Sequence, residues 1–216
     1  MKIDKDKIMK EQREWMIKEH LIARGISDKK VLEVMGNLAR EKFVPSKYMV
    51  DSYGDHPIPI GHSQTISQPY IVALMSELCE FKGDEKVMEI GCGSGYQAAI
   101  LSALAGNVFS LERIKPLAEN AALILEELGC SNVKVIHSDG FDGLPHEAPF
   151  DVILLTAAPE SIPQTLIDQL ADGGRLVAPE GNTVQQLVRI RKKSGKLNSE
   201  TITYVSFVPM LKGAGS

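Results

Sequence analysis

Cysteine is scarce in this chain of 216 residues. Cys79, Cys92 and Cys130 lie far apart, with no CxxC pair and no histidine at ligand spacing. An odd, scattered set of this kind speaks against a disulfide framework or a zinc site and reads as reduced thiols, so no metal is expected. Long apolar runs are missing too, and no stretch approaches the ~20 residues that span a bilayer. The opening segment MKIDKDKIMKEQREW is charged throughout and holds no apolar signal stretch, which points to the cytoplasm and to no membrane partner. Nor is there a surplus of positive charge. With 24 Lys and Arg against 28 Asp and Glu the net charge is −4, a poor field for holding phosphates, so nucleic acid is not expected as a partner. Repeats and low-complexity tracts are absent. The remainder is an ordinary globular composition, 44% hydrophobic and 24% charged, enough for one cored domain with a terminal extension.

The front of the chain reads as helical. Residues 4–24 carry apolar positions at helical spacing, Gly25 is a plausible stop, and Ser27 is placed to cap a second helix with Val31, Leu32, Val34, Met35 and Leu38 on its stripe. Pro45, Gly54, Pro57, Pro59 and Gly61 punctuate an irregular stretch before a third helical pattern, Tyr70 to Leu78. From Lys86 the rhythm changes to short apolar runs alternating with helices: VMEI, NVFSLE, NVKVIHSD, FDVILLTA and GGRLVAP, with helices expected over 96–104, 116–128 and 162–170. QQLVRIRKK and SETITYVSFVPML, joined by a SGKLN turn, read as an antiparallel pair, with the basic run Arg189 to Lys193 as its solvated face. The expected fold is α/β: a doubly wound, mostly parallel Rossmann-like sheet with an N-terminal helical cap and a C-terminal antiparallel strand pair. Residues 1–80 form the cap and substrate loop, packed on a core of residues 81–216 as one unit.

VMEIGCGSG, Val87 to Gly95, falls at the first strand–helix turn, where such sheets bind ligands. Gly91, Gly93 and Gly95 let the backbone turn sharply and leave room for a ligand. A dinucleotide fold wants its third glycine where Tyr96 stands, and Tyr would obstruct the helix packing there. Acids end three successive strands. Glu112 is placed to accept from ribose hydroxyls, and Asp139, followed by Gly140, to take the exocyclic amine of an adenine. Glu89 is placed to face an amino-acid ammonium, which NAD lacks. The set favours S-adenosylmethionine, and hence a class I methyltransferase core.

The acceptor is less legible. Thr156-Ala157-Ala158-Pro159, after the fourth core strand, offers no side-chain amide or carboxylate to hold an amine and so favours an oxygen acceptor. The loop PIGHSQTISQPYIVA, Pro59 to Ala73, is rich in hydrogen-bonding residues and leads into a helix. REKFVP, PIGHSQTISQPY, EIGCGSGYQAA, ERI, APFDVILLTAAP and GGRLVAPEG, in this order, resemble the protein-L-isoaspartate (D-aspartate) O-methyltransferase family, from about residue 20 to the FVPM near the end. QTISQP is the specific part.

The resemblance implies methylation of the free α-carboxylate of L-isoaspartyl residues in age-damaged proteins and peptides, with S-adenosylhomocysteine as co-product. It implies Ser67 as the catalytic residue, Thr65 and Ser67 as substrate contacts, and Gln64, Thr65, Ile66 and Ser67 against the cofactor. An acceptor carboxylate with pKa ~3.5 is already an anion at neutral pH, so neither His62 nor any other base is needed. The chain is expected to act as a monomer and to meet the peptide backbone along VSFVPM. One departure stands out: Gly61-His62-Ser63 replaces an expected GxG, at a cost of roughly 1 kcal/mol if Ser63 must adopt positive φ. Methylation of a small molecule or RNA would leave QTISQP unexplained, and a decayed sensing module would not need Glu89, Glu112 and Asp139 intact.

Overall fold

The computed structural model describes residues 5–215; the first four residues of the expected cap and Ser216 lie outside it. Helix α1 (Lys5–Trp15) continues through a π-helical turn, Met16–Leu21, and a 3-10 turn, Ile22–Arg24, before Gly25 stops it at φ 97°. The next helix, α2 (Lys29–Asn37), is capped by Asp28, not Ser27. The Asp28 carboxylate accepts from the N–H groups of Lys30 and Val31, whereas Ser27 is one residue too early and bonds Glu77 instead.

Two short strands follow where only a loop was expected. β1 (Ile58–Gly61) and β2 (Gln64–Ile66) pair as a hairpin closed by His62 and Ser63. Both loop residues have positive φ, 51° and 57°, the geometry a two-residue hairpin loop demands. β2 leads through Ser67 and Gln68 into α3 (Pro69–Leu78).

The core alternates β3 (Lys86–Ile90), α4 (Tyr96–Leu104), β4 (Asn107–Glu112), α5 (Lys115–Glu127), β5 (Val133–His137) and β6 (Phe150–Leu155). Helix α6 spans only Gln164–Asp168, shorter than expected because Pro163 takes the N-cap position. β7 (Leu170–Glu180), β8 (Gln185–Lys193) and β9 (Lys196–Val205) complete one sheet of order β5-β4-β3-β6-β7-β8-β9. The first five of these pair in parallel and the last two add antiparallel. The last turn is tighter than expected, two residues at Ser194 and Gly195, and β9 stops at Val205, leaving the FVPM segment free to cross the sheet end.

Each inner strand feeds both faces. Val152 and Leu154 enter one apolar cluster, with α3, α4 and the N-terminal helices; Ile153 and Leu155 enter the other, with α6. The N-terminal segment therefore shares a core with the sheet through Leu21, Val31, Met35 and Phe43. No helix among the described residues is long and apolar enough to cross a membrane.

The hairpin loop makes a direct prediction. Ser63 sits at φ 57°, which disfavours an L side chain. Ser63→Gly should stabilise the protein by about 1 kcal/mol, raising Tm by about 2–4 °C in a calorimetric scan; an unchanged or lower Tm would mean that the loop is already relaxed.

Candidate active site

The sheet changes winding direction at β3, between β4 and β6, and the turn after β3 lies at that switch point. Gly91 has φ 99°, and a Cβ there would sit 2.4 Å from the Thr156 hydroxyl, so no other residue fits. Thr156, at the end of β6, turns that hydroxyl onto the carbonyls of Ile90 and Gly91 (3.1 and 2.5 Å). From the other side Glu112, at the end of β4, accepts from the N–H of Gly93 (2.8 Å) and of Ile114 (2.9 Å). Gly95 does a different job from its two neighbours. It precedes α4 at φ 86° and packs on α5, where a Cβ would lie 3.3 Å from Ala121. The close helix approach assigned in dinucleotide folds to the Tyr96 position is thus made one residue earlier, and Tyr96 is buried against Phe43 and Arg40.

These groups edge a cleft of about 930 Å³, its open mouth included, within the range of a small-molecule site. Gln64, Thr65, Ile66 and Ser67 line one wall; Gly91, Cys92, Gly93 and Glu112 line another; Gly140 and Met210 close the far end. Ile66 is buried, Ser67 half-buried and Thr65 exposed, while the Gln64 amide bonds back to the His62 carbonyl. At Gly140 the wall is closely packed: a Cβ there would lie 2.3 Å from Ile90 and 3.2 Å from Met210, so a larger residue would displace them. A nucleoside fits the arrangement, because Glu112 keeps lone pairs for hydroxyls beyond the two N–H groups it holds.

Of the three strand-end acids, Glu112 lines the cleft, Asp139 adjoins it at Gly140, and the assignment of Glu89 is corrected. Glu89 lies inside β3, two residues before Gly91, where the strand alternation turns it into the interior. It is fully buried, accepts from the Ser110 hydroxyl, and leaves one oxygen without a partner among the described residues. Burial pushes its pKa up to about 8, against the pull of Ser110 and with a contribution from the Glu112 charge. A carboxyl so placed cannot meet a ligand ammonium directly. Asp139 stands beside Gly140 and accepts from the N–H groups of Phe141 (2.9 Å) and of Gly213 (2.6 Å) in the C-terminal segment, and like Glu112 it keeps lone pairs beyond these two.

Other residues carry the site in ways that their sequence did not announce. Thr156 is one; Arg113, whose guanidinium holds the Gly213 carbonyl, is another. Val208 to Leu211 cross the sheet end as part of the wall, pinned by the main-chain pairing of Ala158 with Val208 and Met210. A second cleft shares Thr65, Ser67, Thr156 and Val208 with the first and runs out past Tyr70, Tyr204 and Phe207. The basic run behaves as a strand face: Arg189 and Arg191 both pair with Glu80 and Glu200. Among the described residues no group of three or more His, Cys, Asp or Glu side chains could hold a metal ion.

Glu89 predicts a pH dependence. Its folded pKa of about 8 exceeds the ordinary 4.5, so the folded state holds the extra proton and stability falls as pH rises from about 4.5 through about 8. Glu89→Gln removes that loss. Relative to wild type, the variant should gain stability between pH 5 and pH 9, by up to roughly 4 kcal/mol; parallel pH profiles of the two would show Glu89 ionised throughout.

Comparison with known proteins places the chain in a family. The family model for protein-L-isoaspartate(D-aspartate) O-methyltransferase matches residues 11–215. The chain is 49% identical to the protein-L-isoaspartate O-methyltransferase of Geobacter metallireducens over 92% of this chain and 93% of that one. It is 46% identical to that of Opitutus terrae, over 93% and 87%. Among solved structures, a protein-L-isoaspartate O-methyltransferase superposes with a TM-score of 0.82 at 29% identity, covering 96% of this chain and 67% of the other. The corresponding Plasmodium falciparum protein, solved with S-adenosyl-L-homocysteine, superposes with a TM-score of 0.81 at 28% identity, covering 93% and 99%. The chain belongs to the protein-L-isoaspartate(D-aspartate) O-methyltransferase family.

Proposed function

We infer that this chain is a repair methyltransferase that methylates the free α-carboxylate of L-isoaspartyl residues in damaged proteins and peptides. The observation that carries the reading is the seating of the Thr65–Ser67 strand end in the wall of the cleft that the glycine turn opens. S-adenosylmethionine supplies an activated methyl group on a sulfonium centre and leaves as S-adenosylhomocysteine. Glu112 holds the ribose hydroxyls, Gly91 and Gly93 give main-chain room beside the amino-acid end, and Asp139 with Gly140 meets the base. Glu89 and Gly95 support these groups from behind. Residues 5–80 act as a cap on the core, in one functional unit.

Ser67 holds the acceptor. It does not cap α3, since Gln68 takes the N-cap position, and its hydroxyl has no hydrogen-bond partner among the described residues. That hydroxyl donates to one carboxylate oxygen and leaves the other free to attack in line. Proton removal is unnecessary, because the acceptor is already an anion, and exclusion of water by the Val208–Leu211 wall protects the transfer. The neighbouring amide nitrogen then attacks the ester carbonyl and expels methanol, closing a succinimide whose hydrolysis restores some normal aspartyl linkages. The damaged chain enters along the second cleft, where Gln185 already occupies both main-chain groups of Phe207 (2.6 and 3.1 Å). Recognition there rests on surface shape and on the remaining main-chain groups of the 206–208 segment, so flanking sequence matters little. The enzyme acts as a cytoplasmic monomer on protein substrates.

Radiolabelled methyl transfer to an isoaspartyl peptide and its aspartyl twin tests the reading: label should enter the isoaspartyl peptide alone. Equal labelling, or none, would sink it. Ser67→Ala should slow transfer by about 10- to 100-fold, the value of a hydrogen bond to a charged group, while affinity for S-adenosylhomocysteine measured by calorimetry stays within about twofold. An unaltered kcat would remove Ser67 from the mechanism.

A further inference from the structure

Arg40 is fully buried, and the contacts around it contain no anion. Its Nε donates to the Ser52 carbonyl at 2.7 Å and one Nη to the Ser67 carbonyl at 2.8 Å. The guanidinium lies over the Tyr96 ring, 4.6 Å from the centroid, and its other Nη has no hydrogen-bond partner among the described residues. No carboxylate among the described residues forms an ion pair with it. Asp55, whose charge reaches it, gives one carboxylate oxygen to Arg24 at 2.5 Å; its other oxygen is buried and bonds neither Arg40 nor any other described group. Arginine does not shed its proton to escape burial, so a whole positive charge stays in the interior behind Ser67 and Tyr96, two residues that line the cleft. An unpaired buried charge is costly, and a well-packed apolar residue would be the stabler choice if stability alone were served.

We propose that Arg40 is the positioning residue of the acceptor site, fixing Ser67 through its carbonyl and supplying, as a buried unpaired cation, the positive potential that selects a carboxylate over a neutral acceptor. It rests on the reading of Ser67 as the acceptor's partner. The guanidinium spans the 3-10 turn at Arg40, the end of the β2 strand and the first residue of α4, so it sets the distance between the acceptor loop and the glycine turn. Its field acts across Ser67 in a region screened from water, where one charge carries far more weight than it would on the surface.

The test uses the whole enzyme with S-adenosylhomocysteine bound and measures, by calorimetry, the affinity for two peptides: an isoaspartyl peptide and the same peptide with its α-carboxylate replaced by a carboxamide. Wild type should prefer the carboxylate. Arg40→Gln and Arg40→Met should cut that preference by about tenfold without weakening S-adenosylhomocysteine, while Arg40→Lys should hold it within about threefold and lose kcat, because an ammonium cannot reach both carbonyls as the planar fork does. A preference retained in a folded neutral variant would overturn the proposal, as would its loss in a folded Arg40→Lys protein, which serves as the test by itself where the neutral variants do not fold. Failure of the wild type to methylate isoaspartyl peptide would instead strike the underlying functional reading.

Discussion

The turn from β3 into α4 keeps its shape because side chains from two neighbouring strands grip it from opposite sides. Glu112 takes the N–H groups of Gly93 and Ile114, and Thr156 gives its hydroxyl to the carbonyls of Ile90 and Gly91. A glycine-rich turn left to itself is the most mobile backbone a chain can make, and ordering each residue costs about 1–2 kcal/mol. Hydrogen bonds to a charged group, about 1.5–3 kcal/mol apiece, are large enough to offset that. The rest of the site takes its bearings from this frame. Tyr96 follows the turn directly, Arg40 stacks on Tyr96, and the same guanidinium holds the Ser67 carbonyl. The glycine turn and the Ser67 wall of the cleft are thereby referenced to one rigid point through three contacts.

How much of this was legible in the sequence depends on how local the cause was. The parallel strands announced themselves as short apolar runs because both faces of β3 and β6 are buried, and the glycine turn fell where such sheets open. The acids were harder. Strand ends look alike in sequence, but a side chain's direction depends on parity. Glu112 closes β4 and reaches across to Gly93, whereas Glu89 sits one residue inside the end of β3 and is turned away. Nothing local to Asp139 hinted that Gly213, 74 residues later, would return to bond it. Long-range closure of this kind leaves no mark on a window of sequence.

The hairpin at 58–66 failed for the opposite reason. Its loop, His62-Ser63, lacks the Asn-Gly or Gly-Gly pair that signals a two-residue turn, and yet both residues adopt positive φ. What holds them is tertiary: Ile58 and Ile66 face each other across the pair and are both buried in the shared core. Burying two isoleucines is worth about 3–6 kcal/mol, which outweighs the strain of two left-handed residues at about 1–2 kcal/mol each. The strand pairing delivers Ser67 to the cleft wall, so the strained loop is a tolerated by-product of that placement.

Charge follows a similar logic of place over total. The chain carries a net −4, which would repel an anionic acceptor if charge were spread evenly. The interior beside the cleft is arranged the other way. Glu89, with its pKa pushed up to about 8, is mostly neutral at pH 7, so one formal acid near the turn contributes little field. Arg40, behind the acceptor loop, keeps its charge without a paired carboxylate. Surface charges act through water, screened within about 8–10 Å, but these two groups act through protein and at close range. A reaction between a carboxylate and a sulfonium needs no proton shuttle. It does need an anion held next to a cation without either being neutralised by the protein first, and a protonated Glu89 beneath the turn with an Arg40 free of ion pairs behind Ser67 suits that requirement.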